Sequence, residues 1–252
     1  MDKALRSLVD WYAKVGVDVP ELVPSAAPRK KRAATAPAKP NVTAKPTRPK
    51  APDDRPLPNE AVVAKSAKTL DDLRVAVQTF DAGALSDWAR QAVFSRGNPE
   101  ADLMIIGEAP GREEDIQGKP FIGRSGQLLD HMLAAIGLTE DNFYITNFVN
   151  WRPPKNRNPK PEEIELCRPF LERHIELVQP KVLLLVGGVS MTALTGETGI
   201  MKNHGQWQGI DIGGRVLPAM PLYHPAFLLR QPALKKEAWR DLLSLRAKLE
   251  TL

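Results

Sequence analysis

The chain has 252 residues, 42% hydrophobic and 26% charged, with a formal net charge of +5, which fits one globular domain of ordinary size plus additional segments. Its longest purely aliphatic run, Val182–Val186, is far short of the ~20 residues a membrane-spanning helix needs, and Met1-Asp2-Lys3 lacks the basic-then-apolar layout of a secretory signal. One cysteine, Cys167, excludes an internal disulfide and any multi-cysteine metal centre built from this chain alone, and it predicts a reducing, cytoplasmic setting.

In chain order, residues 1–22 place Leu5, Leu8, Val9, Tyr12 and Val15 at helical spacing with Trp11 beside them, which predicts a short amphipathic helix. Residues 23–60 are rich in Pro, Ala and Lys, and prolines such as Pro28, Pro37, Pro46 and Pro52 block regular structure, so this stretch reads as a disordered linker. Between 24 and 59, nine basic residues stand against Asp53 and Asp54, a net +7. The remainder is therefore net −2, and any nucleic-acid contact made by the globular part must come from a local patch.

Residues 61–252 form the predicted globular domain. Aliphatic strand-like runs at 102–107, 143–148, 181–187 and 216–223 alternate with helical periodicity at 125–136, 161–177 and 234–249. That order predicts an α/β fold with a small four-stranded parallel sheet flanked by helices. The acidic pair Glu162-Glu163 just after Pro161 suits a helix start.

In open parallel sheets, ligands bind beyond the carboxyl ends of the strands. The first strand is followed by Gly107-Glu108-Ala109-Pro110-Gly111, Glu113-Glu114-Asp115 and Lys119-Pro120-Phe121. Asn147 and then Trp151-Arg152-Pro153-Pro154-Lys155-Asn156-Arg157 follow the second, and His224-Pro225-Ala226 follows the fourth. These polar, Gly-rich and Pro-rich segments predict a site on one edge. A Walker phosphate loop is excluded, because six residues separate Gly111 from Gly118 and Pro120 follows Lys119. No Gly-x-Gly-x-x-Gly opens a helix, so a dinucleotide fingerprint is missing as well.

Residues 107–126, the Asn147 strand end, the Arg152-Pro153-Pro154 segment with Asn156-Arg157, and His224-Pro225-Ala226 together resemble the uracil-DNA glycosylase superfamily, closest to its family 4. The resemblance spans residues 70–249 and implies a monofunctional glycosylase that removes uracil from DNA in base-excision repair, acting as a monomer near the nucleoid. A DNA- or base-binding module on the same fold is the alternative. Family 4 usually holds a [4Fe–4S] cluster on four cysteines, and the matching positions here read Phe80, Gly83, Trp151 and Cys167. A cluster needs thiolates at essentially every corner, so the expectation is no cluster, no metal and no cofactor, with Phe80 and Trp151 filling the vacated volume.

The resemblance also implies roles. Phe121 stacks on uracil; the Asn147 amide reads the O4 and N3 edge with one donor and one acceptor; His224 donates to O2 as charge grows there. Ala109 stands where other families place a catalytic Asp, leaving Glu108, Glu114 and Asp115 as candidates to position the attacking water. Glu108 is first among them, and Glu114 doubles as a guard against the 5-methyl of thymine. Asn156 belongs to the base site and Leu228 is the wedge that fills the space of the flipped base. Gly123, Ser125, Arg152, Lys155, Arg157 and Arg230 grip phosphates. The basic linker is read either as a salt-sensitive DNA tether or as an inert spacer, and the leading helix as a dock for a protein partner or for the domain's own surface.

Overall fold

The structure, a computed structural model, describes residues 60–252. The predicted leading helix and nearly all of the linker lie outside the described residues.

Three short helices come first: α1 (Glu60–Ser66), α2 (Leu70–Thr79) and α3 (Ala84–Trp88). Thr69 caps α2, its hydroxyl accepting the Asp72 N–H while the Asp72 carboxylate accepts the Thr69 N–H. Then follow β1 (Ser95–Gly97), β2 (Leu103–Gly107), α4 (Arg112–Gln117), α5 (Arg124–Ala135), β3 (Phe143–Asn147), α6 (Pro161–Val178), β4 (Val182–Val186), α7 (Gly188–Thr195) and α8 (Ile200–Asn203). The chain ends with β5 (Gln208–Ile212), β6 (Arg215–Leu222), α9 (Pro225–Arg230) and α10 (Lys235–Leu249). A 3-10 turn at Pro154–Asn156 interrupts the loop before α6.

The sheet has six strands in the order β1-β3-β2-β4-β6-β5. Its four central strands are the predicted ones and run parallel, and the antiparallel edges β1 and β5 correct the expected count of four. Sequence reading missed both edges for a physical reason. Ser95-Arg96-Gly97 is three residues of a half-buried edge with no hydrophobic alternation, and Gln208–Ile212 mixes polar with apolar side chains. β2 and β4 are buried along their whole length on both faces, which explains their unbroken apolar text.

Alternate residues feed two cores. Met104, Ile106, Leu183 and Leu185 face the layer of α1, α2 and α6, while Leu103, Ile105, Leu184 and Val186 face α5, α9 and α10. The register sets Gly107 beside Asn147 and Val186 beside Leu222. Residues just past these positions therefore emerge at one level of the same edge, and this brings distant motifs together.

Candidate active site

At that edge lies a cavity of about 350 Å³ lined by Glu108, Phe121, Asn147 and His224 among others, at the small end of ligand pockets. The segments that the strand-end rule picks out do converge. Asn147, the last residue of β3, is 3% exposed, and its side-chain amide makes no hydrogen bond to any described residue. A buried amide without a protein partner costs stability unless something else satisfies it.

Phe121 forms one wall. Its ring lies against Gly107, where an added Cβ would come within 2.4 Å of both the ring and the Asn147 Oδ1. Its backbone φ is 55°, a left-handed conformation that costs a non-glycine residue ~1–3 kcal/mol unless its surroundings enforce it. The His224 ring lies 6.0 Å from the Phe121 ring, centroid to centroid.

His224 caps α9. Its Nδ1 accepts the Ala226 N–H at 3.2 Å, which assigns the proton of the neutral ring to Nε2. Burial holds the pKa of this imidazole below the ordinary histidine value, with Arg230 adding to the depression and Glu108 and Glu114 opposing it. The site thus presents a neutral N–H donor rather than an imidazolium.

The carboxylates have separate tasks. Glu108, which lines both this cavity and a second one of about 470 Å³, accepts the Val189 N–H through Oε1 at 3.0 Å, which leaves Oε2 without a described partner. Glu114 lines the first cavity but is already committed: Oε2 accepts the Gly111 N–H, and Oε1 accepts those of Ile122 and Gly123, at 3.0–3.1 Å. Asp115 does not line the cavity. Its Oδ1 accepts the Arg90 N–H at 2.7 Å and its Oδ2 sits 3.6 Å from Arg152 Nη1, so Asp115, expected to be catalytic, is placed among the rim loops outside the cavity lining.

Ala109, Ser125, Asn156, Arg157 and Arg230 all line the cavity. Asn156 also accepts from Arg152 Nε at 2.6 Å, and Arg157 pairs with Glu163 on α6. Arg152 and Arg157 thus each hold a partner within the protein. Gly123 caps α5 and its N–H is spent on Glu114. Lys155 occupies a left-handed position, φ 56°, within the 3-10 turn. Leu228, expected as the wedge, is 0% exposed within the core facing α5 and α10, whereas its neighbour Leu229 is 38% exposed. Helical geometry turns consecutive side chains about 100° apart, so only one of this pair can face the core.

Sequence reading passed over the loop after β4, where Gly187 and Gly188 line the second cavity and Val189 anchors Glu108. The strand-end rule applied to Val182–Val186 would have found it.

The family model for the uracil DNA glycosylase superfamily matches residues 94–243. The chain belongs to the uracil-DNA glycosylase superfamily. It is 39% identical over 150 residues to a type-4 uracil-DNA glycosylase of Archaeoglobus fulgidus, covering 58% of this chain and 75% of the relative. To the type-4 enzyme of Saccharolobus solfataricus it is 38% identical over 168 residues, 64% of this chain and 78% of the relative. To that of Thermotoga maritima it is 37% identical over 139 residues, 55% and 71% respectively.

The four positions that the family resemblance assigns to an iron–sulfur cluster do not fit one. Phe80 and Trp151 are buried rings 6.3 Å apart, with Phe170 edge-on to Phe80 at 4.9 Å. Cys167, the chain's one cysteine, is fully buried beside them, and burial pushes its thiol up to about 12, away from the thiolate that a cluster requires. Among the described residues, no three His, Cys, Asp or Glu side chains form a group able to hold a metal ion. No described helix is long and apolar enough to cross a membrane.

Proposed function

We propose that this chain is a monofunctional uracil-DNA glycosylase that flips uracil out of DNA and hydrolyses its N-glycosidic bond. The observation that carries this reading is the unpartnered Asn147 amide facing the same cavity as the Phe121 ring and the His224 imidazole. With its N–H toward O4 and its C=O toward N3–H the amide matches the edge of uracil, and in that orientation cytosine, which presents the reverse pattern, leaves both unpaired. The type-4 relatives, uracil-DNA glycosylases by name, support the substrate.

In this reading Phe121 stacks on the extruded base, which has cost a few kcal/mol to unstack. As the C1′–N1 bond breaks, its electron pair leaves with uracil and charge accumulates on O2, where the His224 Nε2–H donates. A neutral donor suits this step, since the preorganised N–H stabilises the departing anion without transferring its own proton. Water held by the free Oε2 of Glu108 adds to C1′ and loses a proton to that carboxylate. Among the described residues no lysine lines the cavity; in this reading no Schiff base is formed and an abasic site remains. Glu114 crowds the base through a carboxylate fixed by three backbone amides. Ser125 and Arg230 are placed to meet the flanking phosphates, and exposed Leu229 replaces Leu228 as the residue that fills the vacated stack.

We further propose that the protein works without an iron–sulfur cluster, as a monomer, with Phe80, Trp151 and Phe170 packing the corner that family 4 otherwise staples with metal. A uracil-containing oligonucleotide, incubated with the protein and then treated with alkali, should break at uracil. Intact DNA that is still bound would favour the non-catalytic module. Elemental analysis of the active protein should find no stoichiometric iron, and prolonged exposure to a strong chelator should leave activity unchanged.

A further inference from the structure

Arg96 lies on the edge strand β1, outside every motif that marks the site, yet its buried guanidinium reaches the Phe121 turn. Its Nε donates to the Pro120 carbonyl at 2.9 Å and its Nη2 to the Phe121 carbonyl at 3.2 Å. The side chain is 9% exposed, held by Asp130 of α5 at 2.6 Å and by Glu140, and lies over the Phe143 ring at 5.6 Å. On the other side of the same turn, Glu114 accepts the N–H groups of Ile122 and Gly123. Residues 120–123 are thus clamped by a cation on their carbonyls and by an anion on their amides.

This clamp explains how Phe121 keeps a left-handed backbone. The Phe121 carbonyl is directed toward Arg96 and lies close against α5, where a Cβ on Gly126 would meet its oxygen at 1.9 Å. Releasing that carbonyl would let the peptide relax toward an ordinary φ and swing the ring off the wall that it forms with Gly107 and His224. Accepting the uracil reading of the cavity, on which the next step rests, we propose that Arg96 is a positioning residue for the base-stacking face. It touches no substrate and acts through the Pro120 and Phe121 carbonyls.

The test compares Arg96→Met, Arg96→Lys and Glu140→Gln with wild type, measuring kcat, KM for a uracil oligonucleotide, inhibition by free uracil, and thermal unfolding. Wild type should excise uracil and be inhibited by the free base; if it does neither, the reading of the cavity fails before Arg96 is in question. Arg96→Met should raise both KM and the uracil inhibition constant by about tenfold, the low end of what an aromatic stack contributes. Arg96→Lys, keeping charge but unable to span two carbonyls, should fall between. Glu140→Gln, which removes a partner of Arg96 but neither carbonyl, should match wild type. A lowered kcat with unchanged KM and inhibition constant in both Arg96 variants would show only a smaller folded fraction and would overturn the proposal. If Arg96→Met does not fold, the inhibition constant of Arg96→Lys decides alone: a wild-type value rejects the positioning role.

Discussion

In the proposed reaction Asn147 reads the base edge and His224 donates to O2, so Asn147→Ala would remove the amide and His224→Ala the donor. Each should lower excision by ~10²–10³-fold, the usual loss for one preorganised donor, while circular dichroism stays that of wild type. Protonating His224 requires Nδ1 to give up the Ala226 N–H, and burial opposes the charge as well. The folded pKa therefore lies below the ordinary value near 6.5, and the neutral donor persists to lower pH. kcat should stay level as pH falls through 6.5 and decline only at more acid values. A decline centred at or above 6.5 would mean that the imidazole is not held neutral.

At the scale of elements, α9 separates two adjacent leucines that sequence alone could not assign. Leu228 belongs to the core, so Leu228→Ala should destabilise the fold by about 2–5 kcal/mol in urea unfolding. Leu229→Ala should leave unfolding within ~0.5 kcal/mol and reduce activity on duplex DNA more than on single strands, because only a duplex has a stack to fill. Equal loss on both substrates would remove Leu229 from that role. Helix α6 carries a second element-scale consequence. His174 is fully buried on it, stacked on Phe94 at 4.4 Å and 2.9 Å from the Tyr144 hydroxyl, and burial lowers its pKa to about 3. The unfolded chain takes up this proton near pH 6.5 and the folded one only near 3, so stability is complete above 6.5 and drains away as pH falls through that window. His174→Leu, which leaves Tyr144 bonded to Ser95 Oγ at 2.6 Å, should flatten the dependence of unfolding free energy on pH between about 4 and 6.5.

For the whole molecule the question is where affinity for a polyanion comes from. Residues 24–59 carry a net +7 and the rest of the chain is net negative, while the rim arginines Arg152 and Arg157 are already paired with Asp115 and Glu163. Removing residues 24–59 should weaken DNA binding most at low salt and make the slope of log K against log salt shallower, as fewer counterions are released. An unchanged slope would make the segment a spacer.

Several features could be read from the text because they depend only on neighbouring residues. The four predicted runs became the four parallel strands within a residue or two at each end; β2 and β4 were the plainest because a strand buried on both faces must be continuously apolar. That Asn147 and His224 meet at one edge could be read because each ends or follows a strand of a parallel sheet, whereas Phe121 was picked out by the family resemblance; all three line one cavity. The short antiparallel edges, the inward turn of Asp115 and the burial of Leu228 could not be read, because they depend on which partner lies across a gap of many residues. Arg96 is the clearest case: its text is one basic residue in a short polar stretch, and only folding brings its guanidinium to the Pro120 and Phe121 carbonyls. The sequence by itself determined the periodicity, the charge segregation and the single thiol, all local or additive properties. Tertiary structure alone decided which polar groups neutralise each other and which are left facing the cavity, because pairing depends on distance in space and not along the chain.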